Sequence, residues 1–184
     1  MIKSDLEDIM LTVIEIINSA PCMPSEIKSR GGVCINTSEP RSVSLSIAGI
    51  GNVRKINKYV GGCYMASWDF KLSYTSMCKS DDEKIHAQAL MSYFTEWFEG
   101  APTHDEFGVQ TNECIVEYPK MSDGREMYSI SELRNPSVQE ITKSGLSVIS
   151  TEYRSKFISK NNNLWRQNDY FINHFVSINY YFLI

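Results

Sequence analysis

The run His104-Asp105-Glu106 is the densest group of side chains that could do chemistry, since an imidazole and two carboxylates stand side by side. Such groups transfer protons in many active sites. Three adjacent residues in a loop do not converge easily on one reacting atom, and the sequence offers no partner nucleophile. The run therefore favours a solvated loop over an acid–base site.

The segment Gly49-Ile50-Gly51 follows a predicted strand, as the glycine loop of a nucleotide site would. That loop requires a third glycine where Arg54 stands, and a helix whose N-terminus meets the phosphates. The residues that follow are instead basic and strand-like, so the glycines predict a hairpin turn. Ser-His-Asp chemistry lacks its Gly-x-Ser-x-Gly elbow in this sequence.

The cysteines and histidines show no metal-binding pattern. The five cysteines include no Cys-x-x-Cys pair, and the three histidines lie far from one another. We interpret the cysteines as reduced, structural residues. We therefore predict that the chain has no metal site, no cofactor and no enzymatic activity. The cysteines are Cys22, Cys34, Cys63, Cys78 and Cys114.

Composition indicates a soluble globular protein. The chain has 184 residues, of which 42% are hydrophobic and 22% charged. The acidic residues Asp5, Glu7 and Asp8 interrupt any signal peptide, and no run is long and apolar enough for a membrane helix. We expect synthesis in the cytoplasm and no contact with a membrane.

The formal net charge of -4 argues against a protein that binds free DNA through its overall electrostatic field. A small basic patch is nevertheless present at Arg54, Lys55 and Lys58, with Tyr59 beside it. This patch could contact DNA passing through a ring, or an acidic neighbouring subunit. A solvated strand face is the plainer alternative.

Two amphipathic helices are predicted, over 4–19 and from Ser80 to Gly100. Each begins with a capping box, in which a serine and a glutamate three residues later satisfy backbone groups at the helix start. Their apolar stripes comprise Leu6, Ile9, Met10, Val13, Ile14, Ile16 and Ile17 in the first helix, and Ile85, Ala89, Leu90, Tyr93, Phe94 and Trp97 in the second. Phe98 lies off this stripe and is a candidate interface contact.

Strands are predicted where polar and apolar residues alternate. Those over 42–48, 53–60 and 64–75 are separated by glycine turns and predict an antiparallel meander. A final long strand is predicted over 146–158, and a short one over 114–118. The segments 25–40, 101–112 and 120–145 predict loops, turns and weak strands. The fold class is therefore α+β, an antiparallel or mixed sheet flanked by two main helices.

Composition changes after residue 159, where an asparagine-rich stretch precedes an aromatic segment with few charges. We predict a domain over 1–159 and an aromatic-rich arm over 160–184, which either covers the sheet or docks onto another subunit. The candidate contacts in the arm are Trp165, Tyr170, Phe171, Phe175, Tyr180 and Tyr181.

The order of these elements resembles small minor capsid proteins of phages, which are similar to the tail terminators of long-tailed phages. The resemblance rests on Gly61-Gly62-Cys63-Tyr64-Met65-Ala66, which enters the long strand, and on Trp97-Phe98-Glu99-Gly100, which ends the second helix. It covers about residues 1–158. It implies a hexameric ring in the neck of the virion that caps the tail tube and meets the head–tail connector. Its partners would be the tube protein, with the tail sheath and neck proteins as further neighbours, while genomic DNA passes through the lumen.

Three alternatives remain open. A head-completion or other neck protein would have a similar size and would also form a ring. A small enzyme or ligand-binding domain would need polar residues that converge in a pocket, and the sequence suggests no such set. A DNA-binding regulator would need a recognition helix rich in basic and amide side chains, whereas both predicted helices begin with acidic residues.

Overall fold

The computed structural model describes residues 5–35, 43–59, 62–115, 118–121, 124–141 and 145–159. Within these residues, three helices and one sheet of six strands confirm the predicted α+β class. The helices are α1 (Asp5–Ser19), α2 (Ser25–Ser29) and α3 (Asp81–Phe98). The strands are β1 (Cys34–Ile35), β2 (Ser44–Gly49), β3 (Arg54–Lys58), β4 (Tyr64–Ser76), β5 (Glu126–Ile141) and β6 (Ser147–Ser159).

Helix α1 forms where it was predicted. Ile9, Val13 and Ile17 are fully buried, because residues three and four apart share one face of a helix. The helix ends before Pro21, whose ring cannot continue it. Its predicted cap, Ser4, lies outside the described residues. The predicted loop that follows contains the short helix α2, which begins after Pro24.

Helix α3 begins with the predicted capping box at Ser80 and Glu83 and ends before Gly100, which has φ +72°. Its buried stripe is rotated from the predicted one. Ile85 is 63% exposed, and Phe98 is only 2% exposed. The prediction that Phe98 is a surface contact is therefore wrong. The last turn of α3 lies over the sheet, whereas its first turn projects beyond the core. The buried residues are Ala87, Leu90, Met91, Phe94, Trp97 and Phe98.

The sheet has the order β1-β2-β4-β6-β5, and β3 also pairs with β4. The predicted meander is wrong, because β2 and β3 both pair with β4 and not with each other. Strand β4 is 13 residues long and can accommodate the two short strands end to end. Gly49 accordingly ends β2, and Ile50 and Gly51 lie in the break between two strands along one side of β4, rather than in the predicted hairpin turn.

Strand β5 forms one long strand within 120–145, where turns and weak strands were predicted. It is 16 residues long and, among the described strands, pairs with β6, along which its register shifts four times. Pro136 and the bulges obscure the two-residue alternation by which a strand is recognised. The short strand predicted over 114–118 is not formed at the three described positions, residues 114, 115 and 118.

The core lies between the helices and one face of the sheet. Trp68 and Phe70 of β4 stack at 5.3 Å between ring centroids, and Phe70 stacks on Tyr153 of β6 at 5.4 Å. Phe98 meets Tyr153 edge to face at 5.0 Å, in a geometry that aromatic pairs favour. The indole Nε1 of Trp97 donates to the carbonyl of Ile16 and so joins α3 to α1. Among the described residues, no helix covers the opposite face of the sheet.

Candidate interaction surfaces

The described part of the chain contains no group of three or more His, Cys, Asp or Glu residues placed to hold a metal ion. All five cysteines are free thiols, and burial raises the pKa of Cys22. None of the described helices is long and apolar enough to cross a membrane.

The three side chains of His104-Asp105-Glu106 point to three different partners. Nδ1 of His104 lies 2.9 Å from a carboxylate oxygen of Glu96, and its ring stacks on Tyr93. Asp105 accepts hydrogen bonds from backbone groups of its own loop, whereas Glu106 accepts from the backbone and hydroxyl of Ser25 in α2. The run therefore holds its loop in place.

This loop presents two exposed apolar residues, Phe107 and Val109, which we call the apolar knob. Phe107 is 76% exposed and Val109 is 61% exposed. One carboxylate oxygen of Asp105 accepts from the backbone N–H of both residues, at 2.9 and 2.8 Å. Gly108 has φ +78°, which suits glycine and closes the turn between them. Hydrogen bonds therefore hold the backbone of the knob, and its two side chains are exposed.

The knob lies on the β1–β2 side of the molecule. Its loop is anchored to α2 through Ser25, and Arg30 at the end of α2 donates to the carbonyl of Val43 beside β2, at 3.5 Å. Since the sheet order places β5 at the other edge, the knob and β5 are on opposite flanks.

The β5 flank is also partly apolar. Leu133 and Val138 are 41% and 40% exposed, and Arg134 between them is exposed as well. An edge strand with unpaired backbone groups invites pairing with another chain, and bulges and proline oppose this. The register shifts and Pro136 therefore favour side-chain contacts over strand addition at this edge.

The face of the sheet that lies away from the helices carries three rows of polar side chains. In antiparallel strands, paired residues lie on the same face. The first row contains Arg54, Ser67, Lys156 and Ser129; the second contains Asp69, Arg154 and Ser131; the third contains Ala48, Lys71, Glu152 and Arg134. We call the five cationic side chains Arg54, Lys71, Arg134, Arg154 and Lys156 the basic band.

Two ion pairs organise the band. Arg154 donates through Nε and Nη2 to the two carboxylate oxygens of Asp69, at 2.8 and 2.9 Å. These hydrogen bonds hold the pKa of Asp69 below its usual value, and the charge of Arg54 lowers it further. Arg134 lies 3.3 Å from Glu152. Within the described ranges, Arg54, Lys71 and Lys156 form no ion pair.

The basic patch predicted at Arg54, Lys55 and Lys58 does not lie on one face of the sheet, because successive side chains of β3 point to opposite faces. All three residues are exposed. Arg54 pairs with Ser67 and belongs to the basic band, whereas Lys58 pairs with Tyr64 on the other face. Lys55 lies over the ring of Tyr64, with Nζ 4.3 Å from its centroid. Phe98 is buried. The six aromatic residues of the arm that were predicted as contacts, from Trp165 to Tyr181, lie outside the described residues.

The knob and most of the basic band were not predicted from the sequence. The sequence analysis interpreted the segment around Phe107 only as a solvated loop. Phe107 lies within a turn-forming Asp-x-x-Gly stretch, and a phenylalanine in a turn is a signal for an exposed apolar residue. Lys71, Arg154 and Lys156 stand on the polar faces of strands that were correctly predicted. Their proximity depends on the register between β4 and β6, which the alternation of each strand does not specify.

Comparison with known proteins finds similarity in structure. No family model matches the chain, and no curated protein matches its sequence. A chain from the virion of a native gene transfer agent (GTA) particle is 13% identical over 81% of this chain and 95% of that chain, with a TM-score of 0.45. Because identity and TM-score are both low, neither the fold nor the function is inferred from this similarity.

Proposed function

We propose that this protein is a structural subunit of a tailed bacteriophage virion and acts as a tail terminator. In this proposal, copies of the chain assemble into a hexameric ring that caps the tail tube and joins it to the neck. The sequence resemblance at Gly61–Ala66 and Trp97–Gly100 supports this role and suggests the number of copies.

The observation that carries the proposal is the presence of two unlike apolar surfaces on opposite flanks. A ring requires a heterologous contact, in which one surface of a subunit meets a different surface of the next. The apolar knob on the β1–β2 flank and the exposed Leu133 and Val138 on β5 meet this requirement. Because hydrogen bonds already hold the backbone of the knob, docking would lose little backbone entropy.

The remaining partners follow from the ring. One face of the ring would contact the tube protein, the other would contact the head–tail connector, and a sheath would lie outside where the tail has one. The arm over 160–184 would extend from the end of β6 and contact a neighbouring subunit, with its aromatic residues supplying the apolar core of that contact.

The assembly state tests the proposal. The mass of the purified protein would be measured by light scattering, alone and with assembled tubes of the matching tube protein. We expect either a hexamer in solution or a monomer that forms a ring on tube ends. The double variant Phe107→Asp/Val109→Asp should abolish assembly, because it places charges in the contact while keeping the backbone groups that Asp105 binds.

The matched control is Ile56→Asp, which changes an exposed apolar residue of β3 that lies in neither surface. It should assemble like the native chain. A native chain that stays monomeric and ignores tubes contradicts the proposal. A ring that binds the head connector but not tubes would identify a head-completion or other neck protein instead.

A further inference from the structure

We propose that the basic band binds the phosphodiester backbone of nucleic acid, without reading its sequence. This proposal goes beyond the ring, since a single copy presents the band whether or not it assembles. The band lies on the sheet face that no described helix covers, and it extends from β3 across β4 and β6 to β5.

Charge is the first argument. The three rows hold five cationic side chains against the two carboxylates of Asp69 and Glu152, which leaves a surplus of three positive charges. The whole chain has a formal net charge of -4, so these three rows differ in sign from the molecule that carries them. A local surplus of this kind attracts a polyanion to one face while repelling it from the others.

The spacing of the cations is the second argument. Arg54 and Lys156 lie on the two neighbours of β4, about 10 Å apart across the strands, and Lys71 lies about 13 Å further along them. One strand of duplex DNA carries about four phosphates over such a length. The three cations without an ion pair can therefore meet separate phosphates of one backbone.

The third argument is the chemistry of the neighbouring side chains. Ser129 and Ser131 are partly exposed, lie in the same rows as Lys156 and Arg154, and offer hydroxyl donors. Phosphate contacts combine Arg and Lys with such hydroxyls, whereas the core of a protein–protein interface is rich in aromatic residues. In the three rows all side chains except that of Ala48 are polar, which favours nucleic acid over an acidic protein as the partner.

Fluorescence anisotropy with a labelled DNA duplex of arbitrary sequence tests the proposal on the full chain. Between about 50 and 200 mM salt, three phosphate contacts predict a slope of log affinity against log salt of about −3 per copy. Arg54→Glu/Lys156→Glu should weaken binding by about tenfold or more and reduce the slope by about two. The milder Lys156→Gln should reduce it by about one.

The control variant is Lys28→Glu/Lys79→Glu, which changes the net charge equally at exposed lysines outside the band. It should keep the native slope. Equal losses in both double variants would show that only the net charge matters and would overturn the proposal. So would an absence of salt-dependent binding by the native chain, or displacement of the duplex by polyglutamate at equal charge concentration.

Light scattering on the same variants separates this proposal from the ring. If Arg54→Glu/Lys156→Glu assembles normally but has lost DNA binding, the band acts as proposed and the ring is unaffected. If the native chain binds DNA but never assembles, the proposed ring fails and the band stands.

Discussion

Two phenylalanines show how single residues divide this protein between a core and a surface for contact. Phe98 packs edge to face against Tyr153 beneath α3. Phe107 lies nine positions later in a loop whose backbone is held by Asp105. The two side chains are chemically identical, so their surroundings alone decide whether each contributes to stability or to recognition.

Replacing these phenylalanines by alanine should therefore have opposite effects. Phe98→Ala leaves a cavity among buried aromatic rings and should lower the free energy of unfolding by about 3–5 kcal/mol. Phe107→Ala removes an exposed side chain and should change it by no more than about 0.5 kcal/mol. Urea unfolding followed by circular dichroism measures both. A large loss in the Phe107 variant would mean that the knob packs against the body of the protein.

At the scale of elements, α3 is specified by local signals at both of its ends. The hydroxyl of Ser80 accepts from the backbone N–H of Glu83, and the carboxylate of Glu83 accepts from the backbone N–H of Ser80. Asp81 and Asp82 add negative charge in the first turn, where the helix dipole favours it. These interactions explain why the start of the helix was predicted correctly although the stripe it buries was not.

The contribution of this cap can be measured within the same helix. Ser80→Ala removes the side-chain acceptor and should cost about 1 kcal/mol of stability. Ser92→Ala makes the same change at an exposed interior position and should be neutral or slightly stabilising, because alanine is the better helix former. Chemical denaturation of both variants gives the comparison. Equal effects would show that the capping hydrogen bonds contribute nothing measurable.

At the scale of the whole molecule, the sheet is asymmetric. The three helices contribute buried residues to the core on one face, while the other face carries the polar rows of β4 and β6. The two sheet edges differ as well, since one lies beside the knob and the other is the bulged strand β5. A body with unlike flanks and one sheet face that no described helix covers suits assembly with neighbours.

The domain boundary predicted after residue 159 also concerns the molecule as a whole. In the described ranges, the core cluster draws on residues between Ile9 and Phe157. A chain ending at Ser159 should therefore unfold in one cooperative transition close to that of the full chain, while losing the assembly contacts proposed for the arm. Calorimetry and light scattering on the two chains test this. A truncated chain without a cooperative transition would show that the arm completes the core.

The sequence alone determined α1, α3, β4 and β6, because their capping residues and apolar periods are local signals that survive without a partner. Only the tertiary structure decided that β2 and β3 share one edge of β4, that Phe98 is buried, and that Arg54, Lys71 and Lys156 lie together. These features depend on strand register and on how a helix rests on the sheet, which are set by packing between residues distant in the chain.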